Sequence, residues 1–131
     1  AKLVELLLAA SALRENGADR VILIAPYLAY MRQDIAFEPG QAVSQRIIGQ
    51  LLARYFDTVI TVDAHLHRTP RIEQAVPARQ AINLSAARLV GERLAAEYER
   101  PLLVGPDEES EQWVAAAAKA ASAPAAPSTT G

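Results

Sequence analysis

The sequence predicts an α/β protein in which a parallel sheet is flanked by helices. Amphipathic helical segments and short β-branched runs alternate along the chain in the order helix, strand, helix, strand, helix, strand, helix. Polar residues that are unusual for a core follow each of the three predicted strands. In an open α/β sheet, ligands bind beyond the carboxyl ends of the strands, so these polar clusters are the candidate binding residues.

Hydrophobic periodicity and turn residues set the bounds of the predicted elements. Gly17 ends the first helix, Pro26 ends the first strand and Ser44 can cap the second helix. Residues 71–83 are ambiguous, because Pro77 interrupts any long helix there. The predicted elements are, in order, a helix over residues 2–16, a strand over 21–25, a helix over 44–55, a strand over 58–62, a helix over 85–99 with Leu89, Val90 and Leu94 facing the core, a strand over 102–104 and a helix over 110–121.

Composition limits the classes of function. The chain has 131 residues, of which 51% are hydrophobic and 21% are charged, and its formal net charge is −2. That charge provides no overall basic field for nucleic acid or for a membrane surface, so neither is an expected partner. No apolar run is long enough to span a membrane. The absence of cysteine excludes disulfides and thiolate metal sites, and it fits a cytoplasmic location.

The first polar cluster lies on a long excursion over residues 27–41, which shows no hydrophobic period. A long loop in a compact domain is more often functional than idle. The guanidinium of Arg32 can bind phosphate or stack on adenine, and the amide of Gln33 can read the edge of a base. Asp34 can orient the arginine or contact a metal-bound water. On these residues alone, a solvated loop with a surface ion pair is the more common alternative.

The second polar cluster follows the strand over residues 58–62. Asp63 and His65 place a carboxylate and an imidazole at the strand end, where they can bind Mg²⁺ directly or through water. His65 and His67 also form a His-x-His pair like that of metal-dependent amidohydrolases, but those enzymes need a barrel of about 250 residues and further ligands. Loop histidines that are satisfied by backbone groups are the plainer alternative.

A family resemblance connects these clusters. Residues 26–34 read Pro-Tyr-Leu-Ala-Tyr-Met-Arg-Gln-Asp and resemble the Pro-Tyr-x-x-Tyr-x-Arg-Gln-Asp signature of ribose-phosphate pyrophosphokinases. Residues 37–44 are similar to the archaeal-type continuation of that signature, Phe-x-Pro-Gly-Glu-Ala-x-Ser. Residues 63–65 fall at the family's Asp-Leu-His motif, and residues 105–107 resemble its Ser-Pro-Asp strand end.

The resemblance implies a phosphoribosyltransferase-like fold and an enzyme that transfers the diphosphoryl group of ATP to ribose 5-phosphate, forming phosphoribosyl pyrophosphate. It implies a homo-oligomer, because members of the family are oligomeric. The implied domains are residues 1–84 as part of an N-terminal phosphoribosyltransferase-like domain with a flag-like loop over 27–41, residues 85–122 as the beginning of a second such domain, and residues 123–131 as a disordered tail or linker.

The resemblance also assigns roles to residues. It implies that Arg32 and Gln33 contact ATP, and Asp34 is grouped with them as an ATP-binding candidate. It implies Mg²⁺ as the cofactor. The residues implied as metal contacts are His65, Asp63 and Asp107.

The chain departs from the family pattern at several points. Ile35-Ala36 stand where a basic residue often follows the family's Asp, and Glu108-Glu109 follow Asp107 where small residues are usual. Asp107 and the glutamates can instead stabilise a helix N-terminus. No segment matches the family's catalytic Lys and Arg region, so the catalytic residues are unknown and this chain by itself is expected to be inactive. A non-catalytic nucleotide-binding or regulatory subunit and a structural α/β module are the alternatives.

Overall fold

A computed structural model of the protein describes residues 2–126. The chain divides into two compact units, Ala1–Leu84 and Ser85–Gly131. The first unit contains α1 (Lys2–Glu15), β1 (Ile22–Ala25), α2 (Ser44–Tyr55), β2 (Thr58–Val62), α3 (Ile72–Ala75) and β3 (Gln80–Leu84). The second unit contains α4 (Ala87–Glu97), β4 (Leu103–Val104), a 3₁₀ turn (Glu108–Ser110), α5 (Glu111–Ala121) and β5 (Ala125–Ala126).

The first unit is built on a three-stranded parallel sheet with the order β1-β2-β3. Ile24 pairs with Ile60, and Ile60 pairs with Ile82, so the three strands are in register along their length. Parallel neighbours require crossovers, which α2 and α3 supply. The α/β prediction with a parallel sheet is therefore confirmed.

The two faces of this sheet differ in burial. One face, which carries Leu23, Val59 and Ala81, packs into a hydrophobic core with the helices of the first unit. The opposite face carries Ile22 and Ile24, which are largely exposed. A parallel sheet in an α/β protein is ordinarily covered on both faces, so this open apolar face departs from the usual arrangement.

The second unit is organised around the contact between α4 and α5. Small residues make this contact: Gly91 of α4 lies against Ala117 of α5, where an added Cβ atom would come within 2.1 Å of the Ala117 carbonyl oxygen. The prediction that Leu89 and Val90 face the core is wrong, because both are exposed. The buried face of α4 instead uses Ala87 and Gly91.

Three local features differ from the sequence predictions. β3 occupies part of the stretch that was ambiguous from sequence. The sequence did not predict this strand because only two of its five side chains are strongly apolar, which gives a weak strand pattern. Ser44 does not cap α2; Val43 holds the cap position without a side-chain bond, and the Ser44 hydroxyl donates to the carbonyl of Tyr30. Within the predicted tail, Ala125–Ala126 pair in parallel with Leu103–Val104.

Residues 127–131, the rest of the predicted tail, lie outside the described residues. The assignment of the two units to domains of the implied family stays a prediction. Within residues 2–126, no helix combines the length and the apolar character that crossing a membrane requires.

Candidate functional site

The loop between β1 and α2, residues 26–43, carries the first polar cluster and is called the Arg32 loop. Its chain path is anchored by Leu28 and Met31, whose side chains are buried in the core of the first unit. Tyr30 adopts a positive φ of 67°, which turns the chain sharply just before Arg32. Arg32 itself is exposed. The loop therefore presents a charged side chain from a backbone that apolar anchors hold in place.

The first turn of α2 fastens the Arg32 loop from the other side. The Gln45 side chain is buried, and its Nε2 donates to the carbonyl of Met31 at 3.1 Å. The backbone N–H of Gln45 donates to the carbonyl of Gln33, also at 3.1 Å. These two bonds hold the carbonyl groups of the residues immediately before and after Arg32.

The loop between β2 and α3, residues 63–71, carries the second polar cluster and is called the His65 loop. Asp63 has a positive φ of 44°, and its N–H donates to the carbonyl of Leu84 at 2.8 Å. The next N–H, that of Ala64, donates to Oδ1 of Asn83 at 3.0 Å. The end of β3 therefore sets the direction in which the His65 loop leaves the sheet.

The two loops begin next to each other at the carboxyl edge of the sheet. Ala25 at the end of β1 pairs with Thr61 near the end of β2, and the Val62 N–H donates to the Pro26 carbonyl at 3.3 Å. Carboxyl ends of parallel strands are where α/β proteins bind ligands. The structure thus brings the first and second polar clusters to one edge of one sheet.

Two side-chain contacts join the loops further out. The Asp34 carboxylate accepts one hydrogen bond from the Arg68 backbone N–H and one from Arg68 Nη1, each at 3.1 Å. The Thr69 hydroxyl donates to Oε1 of Gln45 at 2.9 Å. Burial opposes ionisation of Asp34, but the bonds from the Arg68 backbone and side chain outweigh it and lower the pKa of Asp34 below its ordinary value.

The end of β2 carries the two residues that the sequence predicts as metal contacts in this unit. Asp63 and His65 supply a carboxylate and an imidazole within three residues, and the rings of His65 and His67 lie 6.5 Å apart. Among residues 2–126, no group of three or more His, Cys, Asp or Glu residues is placed to hold an ion together. Mg²⁺ commonly binds through one or two carboxylates plus substrate phosphates. Its binding by Asp63 and His65 stays a prediction.

Asp107 belongs to the second unit. Its Oδ1 accepts from the backbone N–H of Ser110 at 2.9 Å, which caps the 3₁₀ turn Glu108–Ser110. The Ser110 hydroxyl donates back to the Asp107 carbonyl at 2.6 Å. The observed contacts of Asp107 are thus those of a capping residue, and its role as a metal contact stays a prediction.

Comparisons with known proteins show which proteins the chain resembles in sequence and in fold. Residues 1–55 match the model of the N-terminal domain of ribose phosphate pyrophosphokinase. A ribose-phosphate pyrophosphokinase from Methanopyrus kandleri is 44% identical over 108 residues, and one from Thermococcus kodakarensis is 36% identical over 106 residues. The chain is similar to ribose-phosphate pyrophosphokinases over most of its length.

Each of these two alignments covers 81% of the chain and 36% of the relative. The chain therefore spans about a third of the length of the curated pyrophosphokinases that it matches. A crystal structure of phosphoribosylpyrophosphate synthetase from Mycobacterium smegmatis superposes with a TM-score of 0.76 at 26% identity, covering 95% of this chain and 42% of that one. This likeness confirms the phosphoribosyltransferase-like α/β fold.

Within this pyrophosphokinase framework, four polar residues shape the site although sequence reasoning did not select them. Gln45 and Asn83 hold the backbone of the two loops, while Arg68 and Thr69 join the loops to each other. The sequence carries no signal that pairs Arg68 with Asp34, because the two residues are 34 positions apart. Gln45 and Asn83 had no signal beyond their positions in an amphipathic helix and near a strand end.

Proposed function

We propose that this chain forms part of the ATP site of an enzyme that transfers the diphosphoryl group of ATP to the 1-hydroxyl of ribose 5-phosphate. One observation carries the proposal: the signature residues occupy two loops at the same edge of a parallel sheet, and those loops contact each other through Asp34 and Arg68. Because the chain spans about a third of its curated relatives, the whole activity is proposed for a protein that also contains the other family segments.

Arg32 and Gln33 are proposed to bind ATP. An exposed guanidinium on a fixed backbone can bind phosphate oxygens through two parallel hydrogen bonds or stack on adenine, and the neighbouring amide can pair with the base edge. The bonds from Gln45 to Met31 and Gln33 fix the backbone before the ligand arrives. Transfer of a diphosphoryl group depends mainly on positioning and charge stabilisation, which a pre-ordered loop supports.

Asp63 and His65 are proposed to hold Mg²⁺ next to the ATP phosphates. When bound, the ion would offset negative charge on the transferred group. The positive φ of Asp63 and the bond from the Ala64 N–H to Asn83 constrain the backbone between these two residues. Asp107 is proposed as a further metal contact, and its carboxylate would then have to leave the N–H of Ser110.

Self-association and a cytoplasmic location belong to the same proposal. The apolar sheet face with Ile22 and Ile24 gives self-association a physical basis, since large exposed apolar patches mark contact surfaces. The proposed cytoplasmic location is consistent with the absence of cysteine, since disulfides are typical of proteins in oxidising compartments. Sedimentation of the chain over a range of concentrations tests the first of these statements.

Calorimetric titration of ATP, with and without Mg²⁺, tests the binding proposal. The variants are Arg32→Ala and His65→Ala. The matched controls are Arg46→Ala, an exposed arginine on α2, and His67→Ala, a histidine of the same loop. We expect ATP binding that requires Mg²⁺, is weakened about tenfold or more by either variant, and is nearly unchanged in Arg46→Ala.

Equal binding by the parent chain and both variants would refute the residue assignments. Equal loss in His67→Ala and His65→Ala would show that the loop, rather than the His65 imidazole, is required. Formation of phosphoribosyl pyrophosphate by the longer protein, measured as AMP release that requires ribose 5-phosphate, tests the reaction itself.

A non-catalytic nucleotide-binding or regulatory subunit is the second candidate. It is favoured by Ile35-Ala36, which leave the Arg32 loop without the basic residue usual in the family, and by Asp107, whose carboxylate caps a turn. Mg²⁺-dependent ATP binding without turnover in the longer protein would support this candidate over the enzyme.

A further inference from the structure

Asp34 differs from its neighbours in the signature because its side chain is covered, with Arg68 bound to both carboxylate oxygens. The side chain is 1% exposed, whereas the side chain of its partner Arg68 is 46% exposed. An ionised carboxylate only accepts hydrogen bonds, and both oxygens of Asp34 already accept from Arg68. The carboxylate therefore has little exposed surface with which to contact a nucleotide, and each of its oxygens already has a hydrogen-bond donor.

We propose that Asp34 is a positioning residue, which acts through Arg68 to hold the His65 loop against the Arg32 loop and does not contact ATP. This inference rests on the function proposed above, because it concerns how the two halves of that site are kept in register. Arg68 lies three residues after His65, and Asp34 lies two residues after Arg32. A bond between them fixes the backbone that carries the ATP contact relative to the backbone that carries the metal contact.

A second bond makes this connection rigid. Gln45 accepts from Thr69 on the His65 loop and also holds Met31 and Gln33 of the Arg32 loop. Residues 31–34 are thus held at three successive points, while the Arg32 side chain stays exposed. A site that is ordered before binding avoids the entropy cost of ordering its loops with the ligand.

The two bonds to Asp34 differ in what they depend on. The bond to Oδ2 comes from the backbone N–H of residue 68 and persists whatever side chain stands there, whereas the bond to Oδ1 needs the guanidinium. Changing Asp34 weakens both bonds, and changing Arg68 removes one. The proposed role therefore predicts that substitution of Asp34 loosens the connection between the loops more than substitution of Arg68 does.

Amide hydrogen exchange measures this connection without any ligand. Asp34→Asn should speed exchange of the Arg68 amide by about tenfold or more, and it should raise exchange in both loops. Arg68→Gln should produce a smaller increase in the same amides. Arg71→Gln is the matched control, since Arg71 is the last residue of the same loop and forms an exposed pair with Glu73 at 3.7 Å. Exchange in the His65 loop that is unchanged by Asp34→Asn would overturn the proposal.

Nucleotide binding supplies the second readout. If Asp34 acts through Arg68, both variants affect the same connection, so the double variant Asp34→Asn/Arg68→Gln should lose less Mg²⁺-ATP affinity than the sum of the two single losses. Full additivity of the two effects would overturn the proposal, because the two side chains would then act on binding independently. A parent chain that does not bind Mg²⁺-ATP would count against the proposed function, while the exchange result would still decide the positioning role.

Discussion

Gly49 of α2 lies directly against the backbone carbonyl of Ala75 at the end of α3. A Cβ atom added to Gly49 would be 1.7 Å from the Ala75 carbonyl oxygen and 3.3 Å from the Cα atom of Val76. The obstacle is backbone, which cannot rotate away as a flexible side chain can. This contact sets how closely α2, whose first turn holds the Arg32 loop, approaches the segment that follows the His65 loop.

Gly49→Ala should therefore destabilise the chain. Alanine ordinarily stabilises a helix relative to glycine by about 0.5–1 kcal/mol, but overpacking costs typically about 1–3 kcal/mol. We expect a net loss, measured as the free energy of unfolding in urea. Gln50→Ala, on the exposed side of the same helix, should change that free energy by less than about 0.5 kcal/mol. A gain in stability for Gly49→Ala would contradict the close contact.

Asp57 should make the stability of the chain depend on pH. Its carboxylate accepts from the Val21 N–H at 2.8 Å and from the Arg14 guanidinium, and these two bonds hold the pKa of Asp57 below its ordinary value. A lowered folded pKa stabilises the protein above the unfolded pKa of about 3.9. That contribution is lost as the pH falls through the folded pKa.

Asp57→Asn should accordingly be less stable than the parent chain near neutral pH. The difference should shrink when urea unfolding is repeated in steps from about pH 6 to about pH 3. Asp19→Asn is the control, because Asp19 carries an exposed carboxylate shortly after the end of α1, the helix that contains Arg14. A stability difference for Asp57→Asn that stays constant over this range would exclude the stated linkage.

Asn83 should affect the His65 loop although it lies on β3. Asn83→Ala removes the acceptor of the Ala64 N–H, and because Ala64 is buried the cost should be about 1–3 kcal/mol. The ring signals of His65 in an NMR spectrum should shift as the loop direction changes. Gln80→Ala, an exposed residue of the same strand, should leave those signals in place. Unmoved His65 signals in Asn83→Ala would show that the loop does not depend on this bond.

The two faces of β1 should tolerate substitution very differently. Leu23 is 6% exposed and Ile24 is 69% exposed, although they are adjacent. Leu23→Ala should cost about 2–5 kcal/mol through lost burial and a cavity, and Ile24→Ala should cost less than about 1 kcal/mol. Urea unfolding at low protein concentration measures both. Equal costs would mean that the open face of the sheet is covered in solution.

Local patterns predicted several elements to within a residue or two. The bounds predicted for α2 and β2 coincide with those observed, because each has a strong hydrophobic period and a clear break at its end. β3 was missed since its five residues include Gln80 and Asn83, which weaken the apolar pattern. The signature residues were also found from sequence, because their order along the chain is itself the recognisable feature.

Contacts between distant residues were beyond sequence reasoning. Asp34 and Arg68 are 34 positions apart, and nothing in the spacing of either segment indicates that they pair. Asp34 was predicted among ATP-binding residues, and only its burial against Arg68 indicates a different role. The role of Gln45, a buried polar residue of the amphipathic helix α2, became apparent only from its hydrogen bonds to the carbonyl groups of Met31 and Gln33.

The sequence by itself determined the α/β class, the long loop after β1 and the identity of the signature residues, since periodicity and residue order are local properties of the chain. The tertiary structure decided which face of each element is buried, which loops meet and which polar groups are already paired. Gly91 illustrates this: its helix packs on Ala117 through small residues while Leu89 stays exposed. The physical reason is that burial and pairing depend on strand order and on the path of the chain between elements, and neighbours in sequence do not encode either.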